Sequence, residues 1–456
     1  MEPDWEGGLA ELRAALGRKL LERPAERLLY RYDALLSGPA PRAVLQAESA
    51  ADVQVALRSC SRHRLPAVAR GGASGLSGGA VPTGPALVIS TTRMTRVSID
   101  PAGRLARVEP GVINQQLQEL LRPHGLYYPP DPQSSRQATL GGNLAENAGG
   151  PQCFKKGVTG DYLLELEFVT ADGQLWQMDR SGTDLPGLIV GSEGTLAVIT
   201  GATLRLSQLP SQVRTARALF GKLEEAGRAV AEIIRRGLLP AKLELMDQAS
   251  IAAVEQAFHL GLPSAAALLL CDCDGEDPEE VDREIAEVAL AFRSAGALQV
   301  DLASNPAEAE RQWYARRSVS PALGRIKPRR MNEDIVVPRS ELPQVMQEIR
   351  ALGDASGLPL VIFGHAGDGN LHPNIMYDPA EGRWAEVQAL AHAIAKVAIA
   401  HGGALSGEHG IGLAKRPFMA EAVPQETLRA YRAVKRALDP LNLLNPGKIL
   451  PEERPL

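Results

Sequence analysis

The sequence has 456 residues, of which 45% are hydrophobic and 23% are charged, and its formal net charge is −5. A chain of this length predicts two large domains, and its acidic balance argues against a nucleic-acid partner bound by phosphate neutralisation. The four cysteines form neither a CxxC pair nor a disulfide framework, which is typical of a reducing cytoplasm.

The first half of the chain predicts a helical segment followed by many short strands. Residues 1–39 carry leucines at helical spacing and predict an N-terminal helical segment. From residue 40 to 207, short β-rich runs such as LARVEPGV, LAVIT and GATLRLS alternate with glycine clusters. The TADG stretch at 170–173 lies between two such runs and predicts a β-hairpin.

The second half, residues 208–456, has a different texture, in which long helical patterns alternate with strands. The stretches KLEEAGRAVAEIIRRG and PEEVDREIAEVALAFRSAG predict helices, and AKLELMD and PLVIFGH predict strands. This alternation predicts an α+β domain with a mixed or antiparallel sheet. No uncharged apolar run reaches 18 residues anywhere in the chain, so we expect no transmembrane segment.

A first glycine-rich segment, ARGGASGLSGGA at residues 69–80, follows a strand-like run. Its glycines let the backbone approach a ligand closely, and successive N–H groups of such a segment can bind phosphate oxygens. The segment lacks the G-K-[ST] ending of a Walker loop and the GxGxxG spacing of a Rossmann fold. By itself it is equally typical of a flexible loop.

Two further glycine-rich segments, at residues 127–173 and 190–200, contain PPDP, ATLGGN, NAGG and GSEGTLAVIT. Together the three segments resemble the FAD-binding domain of the vanillyl-alcohol-oxidase/p-cresol-methylhydroxylase superfamily. The resemblance implies an α+β fold with a two-subdomain FAD-binding domain at 40–207. A substrate and metal domain at 208–456 would follow, with a ferredoxin-like sheet, helices and a final segment that returns to the flavin.

The same resemblance assigns the residues that would contact FAD. The pyrophosphate would lie on the first glycine segment, and the rest of the flavin pocket would come from the later segments and the C-terminal NPGKIL stretch. The assigned residues are Arg70, Gly71, Gly72, Ala73, Ser74, Gly75, Pro132, Thr139, Gly142, Asn143, Gly149, Gly150, Gly194, Ile199 and Asn445. Because the glycine segment has no histidine and Cys153 stands where relatives carry an unlinked cysteine, we expect non-covalent FAD.

Two histidine-containing segments stand out in the second half, FGHAGDGNLHPN at 363–374 and GGALSGEHGIGLAKRPFM at 402–419. They resemble the C-terminal domain of FAD-linked 2-hydroxy-acid dehydrogenases, a family that includes glycolate oxidase flavoprotein subunits and D-lactate dehydrogenases. On this resemblance His365, His372 and Glu408 bind a divalent metal, and His409 is the catalytic base. Two imidazoles and one carboxylate suit Zn²⁺ or Mn²⁺.

A 2-hydroxy acid also requires a group that binds its carboxylate, and a guanidinium binds carboxylates in a two-pronged geometry. The W-x-x-R spacing of Trp313 and Arg316 matches the family's substrate arginine, with Arg317 as the alternative. Asn374 matches a family substrate contact. The sequence departs from the family pattern at Lys156, where relatives often have tyrosine. Because the resemblance places this loop near the isoalloxazine, the size of the substrate and the access of oxygen stay open.

The function implied is FAD-dependent oxidation of glycolate or D-lactate, with electrons passed to an acceptor other than NAD. The alternatives are a D-2-hydroxyglutarate dehydrogenase, a non-redox transferase of the alkyl-dihydroxyacetone-phosphate synthase type, and a flavin subunit that only transfers electrons. Since the chain has no cysteine cluster, any iron–sulfur centre would lie on a partner, and a second flavin-type subunit is a further expected partner. We expect a cytoplasmic protein, at most peripheral to the inner face of the membrane through such a partner.

Overall fold

The computed structural model describes residues 2–452, which form two compact units. Within these residues, the first unit comprises 2–149, 158–209 and 408–452, and the second comprises 150–157 and 210–407. The domains predicted from the sequence are continuous ranges, whereas each of these units combines separate segments, and the predicted domain boundaries stay a prediction. None of the helices in the described part of the chain combines the length and apolar character that crossing a bilayer requires.

The described residues contain strands distributed over both units. In chain order they are β1 (Leu20–Leu21), β2 (Ala43–Gln46), β3 (Ala67–Arg70), β4 (Leu87–Ser90), β5 (Val97–Asp100), β6 (Leu105–Val108), β7 (Leu126–Tyr127), β8 (Leu163–Val169), β9 (Leu175–Asp179), β10 (Val198–Arg205), β11 (Ser207–Gln208), β12 (Gln212–Phe220), β13 (Lys242–Asp247), β14 (Ala267–Gly275), β15 (Gln299–Leu302), β16 (Arg329–Asn332), β17 (Ile335–Val336), β18 (Leu360–His365) and β19 (Asn370–Tyr377).

The helices alternate with these strands, most of all in the second unit. In chain order they are α1 (Trp5–Leu16), α2 (Pro24–Leu28), α3 (Ala50–His63), α4 (Asn114–Leu121), α5 (Leu140–Glu146), α6 (Cys153–Lys156), α7 (Leu185–Ile189), α8 (Leu223–Arg235), α9 (Gln248–Phe258), α10 (Pro278–Ser294), α11 (Pro306–Arg317), α12 (Val319–Leu323), α13 (Leu342–Ser356), α14 (Trp384–Ala400), α15 (Met419–Ala422) and α16 (Gln425–Leu438).

The first unit begins with a four-stranded sheet in the order β1-β2-β4-β3. Strands β2, β4 and β3 run parallel, while β1 pairs with β2 in the antiparallel sense. Helices α1 and α3 cover this sheet through buried leucines, among them Leu12 and Leu57. Within the predicted N-terminal helical segment the structure has the helices α1 and α2, and between them the strand β1, which the leucine spacing did not predict.

A second sheet of the first unit is antiparallel and has the order β5-β6-β10-β8-β9. Strands β8 and β9 form the hairpin predicted at TADG, with Val169 opposite Leu175. The two β-rich runs LAVIT and GATLRLS join into the single strand β10, with a register shift between Ile199 and Gly201. A glycine inside a strand commonly marks such an irregularity, because it has no side chain to pack and its backbone adopts conformations that other residues avoid.

The second unit is built on one large sheet in the order β15-β12-β14-β13-β18-β19-β16, with β17 paired to β19. All of its strand pairs are antiparallel, in agreement with the predicted α+β class. Helices α8, α10, α13 and α14 bury their apolar residues on one face. The other face packs against α9, α11 and α12, and this second face carries the polar residues described below.

Candidate functional site

The hairpin of β18 and β19 brings two predicted site histidines onto one face of the large sheet. In this hairpin Phe363 lies opposite His372, and His365 lies opposite Asn370. The rings of His365 and His372 are edge-to-face with their centroids 5.1 Å apart, and each residue is 3% exposed. A Cβ at Gly364 would lie 2.3 Å from the carbonyl oxygen of Asn370, so this close strand approach requires glycine. The predicted strand–turn–strand is confirmed.

Behind His365 lies a buried carboxylate on the neighbouring strand, Glu244 of β13, which is directly opposite His365 in the sheet. Its Oε1 is 2.6 Å from Nδ1 of His365, and its Oε2 is 2.5 Å from Nη2 of Arg316. Burial by itself raises the pKa of Glu244, but the charges of His365 and Arg316 and the hydrogen bond with His365 outweigh it and hold the pKa below its usual value. Glu244 is therefore an anion at neutral pH.

Helix α11 places Arg316 on this face of the sheet. One turn earlier, Trp313 donates a 2.8 Å hydrogen bond from Nε1 to Asp272 of β14, and Lys242 lies over the indole ring at 4.7 Å. Trp313 therefore faces the sheet. Arg316 faces it as well, because residues three apart share a helix face. The neighbouring Arg317 points outward, with half of its side chain exposed and an ion pair to Glu310.

The guanidinium of Arg316 is 2% exposed and lies 4.9 Å from the ring centre of Phe363. Apart from its ion pair with Glu244, its Nε and Nη1 have no hydrogen-bond partner among residues 2–452. Buried polar groups normally have such partners, and one without them indicates a binding role or an unseen ligand. The geometry leaves two donors of a buried cation available to an anion.

A second buried carboxylate, Asp334, supports His372 and the chain that follows α14. Its Oδ1 lies 3.6 Å from Nδ1 of His372 and accepts a 2.7 Å hydrogen bond from Asn370. Its Oδ2 accepts from the hydroxyl of Ser406 and from the backbone N–H of Gly407. Both histidines of the hairpin thus have a buried acid beside Nδ1.

Asn374, the predicted substrate contact, is fully buried on β19. It donates to the carbonyl oxygen of His372 at 2.8 Å, and its own oxygen accepts from Asn332 of β16 at 3.0 Å. The Oδ1 of Asn332 is buried and has no hydrogen-bond partner in the described chain. The Asn332–Asn374 pair therefore presents one unsatisfied acceptor on the site face of the sheet.

Residues 150–157 of the second unit include Gly150 and Lys156. Both lysines of this segment bind Asp274 of β14, Lys155 at 2.7 Å and Lys156 at 2.9 Å. Phe154 lies under the guanidinium of Arg339. Lys156, the departure from the family pattern, is thus part of an ion-pair cluster, and the sulfur of Cys153 accepts from the N–H of Gly150.

In the first unit, the glycine segment 69–80 begins at the end of β3 with Arg70, which is 8% exposed. Its Nη1 donates to the carbonyl oxygen of Tyr32 at 2.6 Å, and its guanidinium lies over the rings of Tyr30 and Tyr32. Burial lowers the pKa of Arg70. Arg70 is therefore held by the N-terminal segment, which was predicted only as a helical region.

The glycine segment packs closely on the turn that opens α5. A Cβ at Gly71 would lie 2.3 Å from Oγ1 of Thr139, and one at Gly72 would lie 2.2 Å from the carbonyl oxygen of Gln137. Thr139 caps α5 by accepting from the N–H of Gly142. In the part of the chain that is described, the backbone N–H groups of residues 71–75, which include Ala73 and Ser74, donate to no protein acceptor.

Asn143 of α5 is 3% exposed, and its Nδ2 has no hydrogen-bond partner within residues 2–452. A buried amide of this kind fits a ligand that carries carbonyl or ring-nitrogen acceptors, as an isoalloxazine does. Pro132 is buried in the loop before α5, and Ile199 is buried in β10. Gly149 is the residue at which this part of the first unit ends.

The C-terminal segment ties two glycine turns of the first unit together through Asn445. Its Nδ2 donates to the carbonyl oxygens of Gly79 and Glu193, at 2.9 and 2.7 Å. Lys448 donates to Gly79 and to Oδ1 of Asn445. Gly194 follows with a φ of +69°, a conformation that glycine adopts without strain. Asn445 thus connects the glycine turns that contain Gly79 and Gly194.

Near Asn445 and Lys448 lies a pair of buried acids, Glu146 and Glu193. Glu193 accepts from the N–H groups of Ile411 and Gly412, at 2.7 Å each. Burial and then the charge of Glu193 raise the pKa of Glu146 well above its usual value. Burial lowers the pKa of Lys448 to about 8, against the attraction of both acids.

Glu408 and His409 are the first two residues of the last segment of the first unit. Nε2 of His409 is 3.5 Å from Oε1 of Glu408, and both side chains are largely buried. The residue before them, Gly407, is the one whose N–H donates to Asp334. The structure therefore places His365, His372, Arg316 and Asn374 in the second unit, and Glu408 and His409 in the first.

Sequence reasoning missed the acids of the second unit, Glu244 and Asp334, and the amide of Asn332. A signal for Glu244 was present, since it is the acid in the middle of the apolar strand AKLELMD, where a buried charge is rare unless it is paired. The partners of these residues lie on helices, strands and loops far apart in the sequence, so no local sequence pattern indicates them.

Comparison with known proteins identifies the family. Residues 209–449 match the family described as FAD linked oxidases, C-terminal domain, and residues 41–179 match the FAD binding domain. The chain is 40% identical to the glycolate oxidase subunit GlcD of Escherichia coli (strain K12), over 95% of this chain and 89% of that protein. It is 34% identical to a D-lactate dehydrogenase of Archaeoglobus fulgidus, over 92% of this chain and 95% of that protein.

Solved structures extend the likeness to the fold. p-Cresol methylhydroxylase with substrate bound superposes with a TM-score of 0.83 at 16% identity, over 98% of this chain and 96% of that one. An alkyldihydroxyacetonephosphate synthase superposes with a TM-score of 0.75 at 19% identity, over 98% and 86%. At these identities the likeness concerns the fold alone, which is the mixed α and β fold expected from the glycine segments. The sequence matches go further: the chain belongs to the FAD-linked oxidases and is a FAD-dependent oxidoreductase.

Proposed function

We propose that this oxidoreductase converts a small 2-hydroxy acid, glycolate or D-lactate, to the 2-oxo acid. The observation that carries the proposal is the buried guanidinium of Arg316, whose Nε and Nη1 have no hydrogen-bond partner among the described residues. A buried guanidinium that keeps donor nitrogens without a protein partner is suited to binding an anion such as a carboxylate. The names of the relatives, a glycolate oxidase subunit and a D-lactate dehydrogenase, agree with such a substrate.

FAD would be held non-covalently by the fifteen residues assigned above. The amides of residues 71–75 suit phosphate oxygens, and the buried Nδ2 of Asn143 suits a flavin acceptor. Neither Ala73 nor Ser74 offers a nucleophile of the histidine type for a covalent flavin link. When bound, the flavin supplies the two-electron acceptor for the hydride that leaves C2 of the substrate.

His365, His372 and Glu408 would hold a divalent cation, Zn²⁺ or Mn²⁺. Metal-bound histidines usually have a carboxylate or carbonyl oxygen at the second ring nitrogen, and Glu244 and Asp334 lie beside Nδ1 of the two imidazoles. The cation would supply a Lewis acid for the hydroxyl and carboxylate oxygens of the substrate.

The chain's own residues would then divide the remaining work. Arg316 binds the substrate carboxylate and holds C2 in one orientation, and Asn374 adds a polar contact on the same sheet face. His409 accepts the proton of the substrate hydroxyl while the hydride leaves, so that the products are the 2-oxo acid, a reduced cofactor and a protonated imidazole. A positioned base contributes about 10²–10⁴-fold to such a step.

The reduced cofactor would be reoxidised by an acceptor other than NAD. We propose that iron–sulfur and second flavin-type subunits provide it, because the Escherichia coli relative is named as a subunit and this chain has no cysteine cluster of its own. A cytoplasmic location, with attachment to the inner face of the membrane only through such partners, belongs to the same proposal.

The experiment is anaerobic bleaching of the flavin absorbance by a panel of glycolate, D-lactate, L-lactate, D-2-hydroxyglutarate and glycerol phosphate. We expect glycolate or D-lactate to reduce the flavin at the lowest concentration. Preferential reduction by D-2-hydroxyglutarate would move the assignment to that substrate. If no 2-hydroxy acid reduces the flavin, the proposed function is wrong.

A further inference from the structure

Glu244 contacts two groups that the proposed function uses, although it is assigned no role in that function. It is fully buried on β13, with Oε1 at 2.6 Å from Nδ1 of His365 and Oε2 at 2.5 Å from Nη2 of Arg316. One carboxylate therefore joins an imidazole of the hairpin to the guanidinium on α11. The two partners lie on different elements, and Glu244 is the residue between them.

The chemistry of these contacts requires two acceptor oxygens. The guanidinium of Arg316 is a donor only, and a carboxylate beside it is an acceptor only. Nδ1 of His365 must then be the protonated nitrogen of the ring, because it faces an acceptor. The coordinating nitrogen in the proposed metal site would accordingly be Nε2, and Nη2 of Arg316 is fixed while Nε and Nη1 point elsewhere.

We propose that Glu244 is a positioning residue that sets the Nδ1–H tautomer of His365 and the orientation of the Arg316 guanidinium at the same time. This inference rests on the proposed function for its catalytic meaning, although the tautomer and the ion pair exist without it. Glutamine is the sharpest replacement, because it has nearly the same shape but only one acceptor oxygen, and its other end donates. The single oxygen of Glu244→Gln can accept from the Nδ1–H tautomer of His365 or from Arg316, but not from both.

Each orientation of the new amide has its own signature. If its oxygen faces His365, the NH₂ group faces Arg316 and displaces it. The D-lactate concentration for half-maximal anaerobic flavin reduction should then rise about 10- to 150-fold, the usual effect of one hydrogen bond to a charged group. If the oxygen faces Arg316, the NH₂ group faces Nδ1, and the ring of His365 should change to the Nε2–H tautomer.

Both signatures are measured on the full-length holoenzyme. Nitrogen-15 NMR of histidine-labelled protein reports the tautomer of His365, whose signal is assigned with His365→Gln, and stopped-flow absorbance reports flavin reduction. Asp247→Asn is the matched control, because Asp247 is a buried acid on the same strand with an arginine partner, Arg350. It should lower the melting temperature but leave the tautomer unchanged and the half-saturating concentration within two-fold.

The inference is overturned if Glu244→Gln keeps the wild-type tautomer and a half-saturating concentration within two-fold, or if Asp247→Asn shows the same losses. If Glu244→Gln does not fold, Glu244→Asp carries the same test, since its two oxygens are set back by one methylene and cannot reach both partners. Failure of the proposed function looks different: no hydroxy acid then reduces the wild-type flavin, and the NMR measurement alone still decides whether Glu244 sets the tautomer.

Discussion

Replacing Arg316 by lysine keeps the positive charge but removes the several donor nitrogens on which the proposed substrate contact depends. Glu244 already pairs with Nη2, and a substrate carboxylate could accept a hydrogen bond from Nε or from Nη1. A lysine has a single nitrogen, which would have to choose between Glu244 and the substrate. Losing one buried hydrogen bond to a charged group costs about 1.5–3 kcal/mol, which corresponds to a rise in KM of roughly 10- to 150-fold.

The assay is anaerobic stopped-flow reduction of the flavin over a range of glycolate and D-lactate concentrations, with the melting temperature as a check on folding. Arg317→Lys is the matched control, because half of the Arg317 side chain is exposed and it pairs with Glu310 at the surface. Such exposed pairs contribute about 0–1 kcal/mol, so its KM should change little. An unchanged KM in Arg316→Lys together with an impaired Arg317→Lys would refute the reasoning and move the carboxylate contact one residue along the chain.

Three further predictions follow from the site and its surroundings. Acid precipitation should release yellow flavin into the supernatant, and flavin retained on the denatured protein would contradict non-covalent binding. His372→Ala should lose metal and activity together, with partial rescue by added Zn²⁺ or Mn²⁺. His409→Ala should keep metal and FAD but reduce the flavin slowly, and its rate should lose the pH dependence that a base causes. Full activity of the wild-type protein after chelation would contradict the proposed metal site. Since burial lowers the native pKa of Lys448 to about 8 from 10.5, the unfolded chain binds more protons between these values, so the free energy of unfolding should rise with pH there relative to Lys448→Met. Parallel unfolding curves for the two proteins from pH 8 to 10 would disprove the shift.

Much of the fold could be predicted from the sequence, because its signals are local. The hydrophobic periodicity of α8, α10, β13 and β18 and the turn chemistry at TADG depend on neighbouring residues only, and all of these elements are present. The glycine segments, together with the two histidine segments, were enough to indicate the FAD-linked oxidases, and the sequence matches confirm the family. Strand β1 was missed because two residues carry no period.

For the candidate site, the sequence by itself predicted that a strand–turn–strand brings His365 and His372 to one place. The structure adds the four-residue turn and the register that put both side chains on one face of the hairpin. Through the family resemblance it also predicted Arg316 as the carboxylate contact, with the adjacent Arg317 as the alternative. The sequence does not show which of the two arginines is buried, because either residue can face the sheet until the rotation of the helix is known.

Only the tertiary structure shows how helix α11 is rotated about its axis. Trp313 is anchored on Asp272, which turns Arg316 into the interior and Arg317 to the solvent. The same holds for Glu244, whose two partners lie 72 and 121 residues further along the chain, on a helix and on another strand. A buried charge is tolerated only where opposite charges and hydrogen bonds surround it, and which groups surround it depends on strand order and helix packing rather than on neighbours in sequence.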